Sequence, residues 1–208
     1  MQTRLIIARH GNTFEAGEIV RRVGGHTDIP LSNSGKEQAK KLGLYLKKMG
    51  WLPDQIFCSE LLRTQQTAAL ALAAAHFDRP IQTRTLFNEL DYGIDENQPE
   101  STVIARLGQT ALDDWEKNTI VPSGWNIHPA SIIAAWKNFA AEIIEHYSGQ
   151  TILIVTSNGV ARFAPHITDN FASFLSDHKP KLATGAFGIM LHTPVTGWAV
   201  KRWNQRPE

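Results

Sequence analysis

The sequence predicts an α/β fold: a three-layer sandwich with a mainly parallel central sheet, helices on both faces and a lid insertion. Three observations carry this. Short runs of aliphatic and β-branched residues recur along the chain, each the length of a buried strand. Stretches with apolar residues at helical spacing lie between them. One segment, about 93–130, breaks the alternation. It reads as an insertion over the carboxyl ends of the strands, where a lid would sit.

The elements follow in order. Residues 4–9, built on Leu5-Ile6-Ile7-Ala8, read as the first strand, and Gly11 breaks it. A loop rich in Gly and Arg covers 11–33. Ser34, with Glu37 three residues on, has capping-box spacing and predicts a helix over about 34–49. Ala39, Leu42, Leu46 and Met49 would face the core, with Lys40, Lys41, Lys47 and Lys48 around the other side and Gly50 at the end. Residues 55–58 read as a second strand, Leu61 to about Phe77 as an Ala/Leu-rich helix, and 81–86 as a third strand. The insertion carries a helix near 100–117. Another helix runs over 130–147, with Ile133, Trp136, Ala140, Ile143 and Ile144 as its apolar face. Residues 151–155 are the clearest buried strand, and a helix is expected near 159–175. Finally, 183–192 and 197–204 read as two strands joined by a turn from Pro194 to Gly197, an antiparallel edge.

A chain of 208 residues is long enough for one domain, 1–208, with a substantial core. Hydrophobic residues at 42% and charged residues at 20% fit an ordinary soluble globular protein. A formal net charge of +1 gives no field that would favour nucleic acid or a membrane surface. No window is long and apolar enough for a signal-peptide core or a membrane span, so the expected compartment is the cytoplasm. Cys58 is the only cysteine, which excludes an internal disulfide and a thiolate zinc site. Following Ile56-Phe57, it reads as a small buried apolar residue. The histidines show no paired ligand spacing, and the sequence sets no oligomeric state.

The chemistry concentrates where strands end, because open α/β sheets bind ligands outside the carboxyl ends of their strands. Arg9-His10-Gly11 puts a guanidinium beside an imidazole. A neutral imidazole can attack phosphorus, and a guanidinium can hold the oxygens of the group attacked. Ser59 to Thr67 follows the second strand, with Ser59 beginning a helix and Arg63 in its first turn as a second fork for an anion. Asn88 to Gly93 follows the third strand, where Glu89 can act as general acid for a leaving alcohol. Thr156-Ser157-Asn158-Gly159 follows the strongest strand and offers hydroxyl, amide and backbone donors at a helix start. Each segment alone also has an ordinary reading: polar residues at a strand end, a surface arginine, a solvated acidic loop, a helix cap.

Together, and in this order, these segments resemble the histidine phosphatase superfamily, also called the phosphoglycerate mutase-like family, over nearly the whole chain. Leu5 to Thr13 resembles its nucleophile motif. Gly25-His26-Thr27-Asp28-Ile29-Pro30-Leu31-Ser32, with Gly35 and Gln38-Ala39, resembles the segment that follows it. Ser59 to Thr67 is similar to its second-arginine motif, and Glu89-Leu90-Asp91-Tyr92-Gly93 to its acid-loop motif. The resemblance implies that His10 attacks phosphorus and carries the phosphoryl group. It implies that Arg9 and Arg63 bind the phosphoryl oxygens, that Glu89 protonates the leaving oxygen and then activates water, and that Asn12 contacts the phosphate or its ester oxygen. It implies no metal and no cofactor, and a small-molecule phosphate ester as the partner.

One position departs from the pattern. The family carries a second histidine after its late strand, and Ser157 stands in its place. Serine donates a hydrogen bond but brings no charge, and losing one such donor costs about 10²–10³ in rate by analogy with oxyanion-hole deletions. The reading is a phosphomonoester hydrolase of the phosphohistidine type, with Ser157, Asn158 and backbone amides binding phosphate. The alternatives are a catalytically impaired phosphate-ester-binding protein of the same fold and, ranked lower, a phosphoglycerate-type mutase. A mutase must keep its phosphohistidine dry, and this insertion does not resemble the longer mutase lid. His166, following Pro165, is not expected to replace the missing histidine. The acidic run Asp95 to Glu100 reads as a solvated helix start. Trp115, Trp125 and Trp136 read as core, and Arg21 and Arg22 as surface charges that can add anion contacts.

Overall fold

In the computed structural model, which describes residues 1–208, six strands form one sheet in the order β3-β2-β4-β1-β5-β6. At its centre β1 (Thr3–Arg9) pairs in parallel with β4 (Thr151–Thr156), and β4 with β2 (Gln55–Cys58). The strand β3 (Ile81–Thr83) extends the parallel side. On the other side β5 (Phe187–Thr193) and β6 (Gly197–Gln205) add the antiparallel edge, joined by the expected turn. The sandwich predicted from the sequence is the fold observed.

The continuous apolar runs follow from burial on both faces. Leu5 and Ile7 pack on one side of β1 with Trp136, Phe139 and Ile143 of the helix α5 (Pro129–His146). Ile6 and Ala8 pack on the other with Leu42 and Leu46 of α1 (Asn33–Lys48) and Ala68 and Leu72 of α2 (Leu62–Ala75). Each such aliphatic side chain stabilises by about 1.5–3 kcal/mol. α1 and α2 cross closely at Gly43, where a Cβ would overlap the Ala71 carbonyl. Cys58 is buried in the same layer.

Several boundaries move. Ser32, not Ser34, caps α1, accepting from Gly35 N at 3.2 Å, so the capping box with Glu37 is not formed and Glu37 pairs with Lys40 instead. Met49, expected on the apolar face, lies beyond the last turn and is 36% exposed. Ser59 does not begin α2. Its hydroxyl accepts from Leu61 N (3.1 Å), and the helix starts at Leu62. The third strand stops at Thr83 and gives way to a 3₁₀ turn, Thr85–Phe87, that carries Phe87 into the core. The insertion helix is two helices, α3 (Glu100–Leu107) and α4 (Gln109–Asn118), broken at Gly108 with φ +80°. The helix expected over 159–175 is three pieces: α6 (Asn158–Ala161), a 3₁₀ turn at Ala164–Ile167, and α7 (Phe171–Asp177). Pro165 has no amide hydrogen to continue the first, and the Asn170 side chain caps the last through Ser173 N (2.9 Å). β5 begins only at Phe187, because Gly185 turns the chain with φ +69°.

The segment from Gly93 to Ile127 is tied at both ends by one buried carboxylate. Asp95 accepts from Arg106 Nε (2.7 Å), Arg106 Nη2 and Trp125 Nε1 (2.7 Å). Trp115, Trp125 and Trp136 are core residues, as expected. No helix is long and apolar enough to cross a membrane.

Candidate active site

Arg9 and Thr156 are register partners at the carboxyl ends of β1 and β4, so His10 and Ser157 leave the sheet side by side. The His10 amide donates to Thr156 O (3.0 Å). Gly11 then passes so close to Gly35 that a Cβ on either would overlap backbone, which fixes the loop against the start of α1.

His10 is 5% exposed, with Nδ1 at 2.7 Å from Gly11 O. A carbonyl only accepts, so Nδ1 carries the proton and Nε2 keeps its lone pair. Burial, and then the charges of Arg9 and Arg63, hold the imidazole well below the usual histidine value, against the Gly11 hydrogen bond. His10 is a neutral base at neutral pH.

Two guanidinium groups flank it. Arg9 Nη1 donates to Leu182 O (2.9 Å), while its buried Nε has no partner. Arg63, second residue of α2, is completely buried. It donates to Thr27 O (2.8 Å) and Gly24 O (3.1 Å), and its Nε is also unpartnered. Carbonyl oxygens orient both groups without neutralising them.

Glu89 sits across from them. Its Oε1 accepts from Leu90 N (2.9 Å) and its Oε2 from Gly159 N (3.2 Å). Burial raises its pKa above the ordinary carboxylate value, against those two hydrogen bonds and the charges of Arg63 and Arg9. The amide at the start of α6, expected to face an incoming anion, thus holds Glu89 instead.

Asn12 is committed to the protein: Nδ2 donates to Ser34 Oγ (3.2 Å) and Oδ1 accepts from Thr184 Oγ1. Asn158 accepts from Leu182 N (2.9 Å) through Oδ1, which leaves its amide Nδ2 free to donate. Ser157 occupies the N-cap position of α6 but caps nothing. It is fully buried, and its Oγ has no partner.

Arg9, His10, Asn12, Glu89 and Asn158 line one cavity of about 540 Å³. Arg63 and Ser157 lie behind its surface. Glu100 of α3 and Glu116 of α4 also line it, so the insertion forms part of the wall. The sequence reading took Glu100 as part of a solvated helix start, which the structure corrects, and missed Glu116, Tyr92, Lys181 and Thr184. Tyr92 had a signal, since it closes the Glu89-to-Gly93 segment; burial pushes its phenol well above the usual value, so it stays a donor. The others carry no local signal. A separate hollow of about 660 Å³ between α5 and β6, lined by Lys137, Ile144, Ile167 and Trp198 among others, holds no histidine, cysteine or arginine. His166 packs face to face on Phe171, with ring centroids 3.5 Å apart, and does not line the 540 Å³ cavity.

The model of the histidine phosphatase superfamily (branch 1) matches residues 5–206. The chain is 32% identical over 125 residues to a 2,3-bisphosphoglycerate-dependent phosphoglycerate mutase of Bifidobacterium longum (strain DJO10A), covering 59% of this chain and 49% of that protein. It is 36% identical over 97 residues to the uncharacterized phosphatase PhoE of Bacillus subtilis (strain 168), 47% of each. The chain therefore spans about half the length of these relatives. Among solved structures, the alpha-ribazole phosphatase from Shigella flexneri superposes with a TM-score of 0.73 at 23% identity, covering 98% of this chain and 96% of that one. A phosphoglycerate mutase from Bacillus anthracis str. Sterne superposes with a TM-score of 0.78 at 18% identity, covering 98% and 93%. At such identities the likeness is one of fold.

Proposed function

We propose that this chain, which belongs to the histidine phosphatase superfamily (branch 1), is a metal-independent hydrolase of small-molecule phosphate monoesters that works through a phosphohistidine. The observation that carries this is the state of His10: a neutral imidazole, tied at Nδ1 to Gly11 O, beside two buried arginines whose Nε atoms have no partner.

In the first step His10 Nε2 attacks phosphorus. The P–N bond forms, the P–O bond to the alcohol breaks, and Glu89 gives its proton to the leaving oxygen. In the second step Glu89 takes a proton from water. The water oxygen attacks phosphorus, the P–N bond breaks, and neutral His10 returns with inorganic phosphate released. Arg9 and Asn158 hold the phosphoryl oxygens from the cavity wall, Arg63 and Ser157 back them from the buried layer behind it, and the second amide hydrogen of Asn12 Nδ2 is left for the ester side. An unpartnered buried donor costs about 1–3 kcal/mol, and a phosphoryl oxygen would offset that cost at Arg9, which lines the cavity. Raised in pKa, Glu89 can carry the proton it must give.

One observation favours a second reading, a protein that binds phosphate esters without turnover: Ser157 is uncharged and lies behind the cavity surface. An assay with a generic aryl phosphate, beside His10→Ala and Ser157→His, separates the two. Release by the wild type, lost in His10→Ala, supports the hydrolase. No release from the wild type, with turnover appearing in Ser157→His, selects the impaired binder. A phosphate isomer of phosphoglycerate formed without free phosphate would instead identify a mutase.

A further inference from the structure

One short turn, Leu182 to Ala186, bonds to four of the residues that line the cavity. It is closed by Ala186 N donating to Ala183 O (3.0 Å), with Gly185 at φ +69°. That is the left-handed position a β-turn leaves to glycine. Leu182 O accepts from Arg9 Nη1 (2.9 Å), and Leu182 N donates to Asn158 Oδ1 (2.9 Å). Thr184 Oγ1 donates to Asn12 Oδ1, and Gly185 N donates to His10 O (3.0 Å). The two amide side chains are thereby held by their oxygens. Their Nδ2 ends, Asn12 with one hydrogen already given to Ser34 Oγ, are the ends left to donate. Arg9, His10, Asn12 and Asn158 thus take their orientation from a segment that carries none of the reacting groups.

The turn is itself held from β6, an edge strand that contributes no residue to the cavity. Ala183 N donates to Asn204 Oδ1 (2.7 Å), and Pro180 O accepts from Trp203 Nε1 (3.0 Å). The pairing of β5 with β6 is irregular here. Phe187 faces Gln205 and Ile189 faces Arg202, so Trp203 and Asn204 together stand against Gly188 alone. A bulge of this kind re-aims side chains. It lays Trp203 on Gly188, where a Cβ would come within 2.3 Å of the indole, and leaves Asn204 bonded to the turn. Asn204 takes φ +55°, a conformation that few residues besides glycine and asparagine adopt. Backbone held in such a region beside a site points to a role there.

Resting on the hydrolase reading of this cavity, we propose that Thr184 and Asn204 are positioning residues. Thr184 sets the amide of Asn12. Asn204, from the edge of the sheet, holds the turn through which Arg9, Asn12 and Asn158 are aimed. The test compares Thr184→Val with Thr184→Ser, and Asn204→Gly with Asn204→Asp, in aryl phosphate hydrolysis and in urea unfolding. Valine keeps the shape of threonine without the hydroxyl, and serine keeps the hydroxyl. Glycine accepts the positive φ without the side-chain acceptor, and aspartate keeps the acceptor. In the folded variants kcat/KM falls about tenfold in Thr184→Val and about threefold in Asn204→Gly, while Thr184→Ser and Asn204→Asp stay within about twofold of the wild type. That rescue separates an orienting hydrogen bond from packing. For either residue, kcat/KM unchanged in the first variant of its pair, or lost equally in both, overturns its role. If the wild type releases no phosphate, the same variants are read by calorimetric binding of inorganic phosphate. Weakening confined to Thr184→Val and Asn204→Gly keeps the positioning roles and removes the hydrolase reading. Equal affinity across the set overturns the positioning roles, and failure of the wild type to bind phosphate removes both.

Discussion

In the segment that walls the cavity, Asp95 is 2% exposed and both oxygens of its carboxylate are matched, by Arg106 and by Trp125. Around His10 burial is just as deep but the matching is incomplete. Arg9 Nε, Arg63 Nε and Ser157 Oγ are enclosed with no partner, as are Arg22 Nε beside Glu100 and Arg162 Nε and Nη1 beneath Glu116, so the incomplete matching runs around the cavity while Asp95 is fully matched. Buried polar atoms in folded proteins are nearly always satisfied, and the exceptions call for a reason. Asp95 uses its buried charge to hold the two ends of the insertion together. Around His10, stability is forgone at atoms left without partners, a pattern associated with functional sites.

The largest test of that contrast is His10→Ala. Phosphate release falls by about 10⁴-fold or more, as for loss of other nucleophiles, while circular dichroism shows the fold retained. A variant keeping a tenth of the activity would remove His10 from the chemistry. Next is Asp95→Ala in the wall. Removing the carboxylate leaves the buried Trp125 Nε1 without an acceptor while Arg106 turns to solvent, a cost of about 1–3 kcal/mol, read as a lower urea midpoint, while kcat/KM of the folded protein changes by only a few-fold. Activity lost at unchanged stability would invert the comparison. Ser157→Ala is smaller and has the opposite signature. kcat/KM drops about tenfold, an effect of about 1.4 kcal/mol, while stability holds or rises by about 1 kcal/mol because an unpartnered hydroxyl is gone. Destabilisation with unchanged kcat/KM would make Ser157 a structural residue.

The pH dependence sharpens the contrast most finely. The His10 pKa is depressed in the folded chain, so the unfolded chain takes up the proton first, and stability declines as pH falls below about 6.5 toward the folded value. The Glu89 pKa is raised, so its contribution is fully present below about 4.3 and is lost as pH rises through the folded value. The same two groups give a bell in kcat/KM, with an acid limb from His10 and an alkaline limb from Glu89. Glu89→Gln should lower the rate and delete the alkaline limb. An unchanged profile would take the proton transfer away from Glu89.

Arg9, His10 and Glu89 were legible because each sits in a short segment next to a strand. The aliphatic runs of β1 and β4 were legible because a strand buried on both faces has no polar alternation to disguise it. Ser157 was visible as a substitution, yet its burial and lack of a partner were not, since nothing in Thr156 to Gly159 records what packs above it. Arg63 was expected to project from a helix surface into the crevice. Only the fold shows it enclosed by the carbonyls of Gly24 and Thr27.

What the sequence determined by itself is the strand and helix alternation, the order of the chemical segments and the pairing of a cation with an imidazole at a strand end. These are properties of contiguous residues, written in periodicity and in the conformations that Gly and Pro permit or forbid. The tertiary structure alone decided where α6 and α7 part, that Glu89 occupies the Gly159 amide, and that Glu100, Glu116 and Lys181 share a wall with His10. Those outcomes depend on charges and amides that meet only after the sheet has brought distant segments to one edge, and no local pattern encodes the meeting.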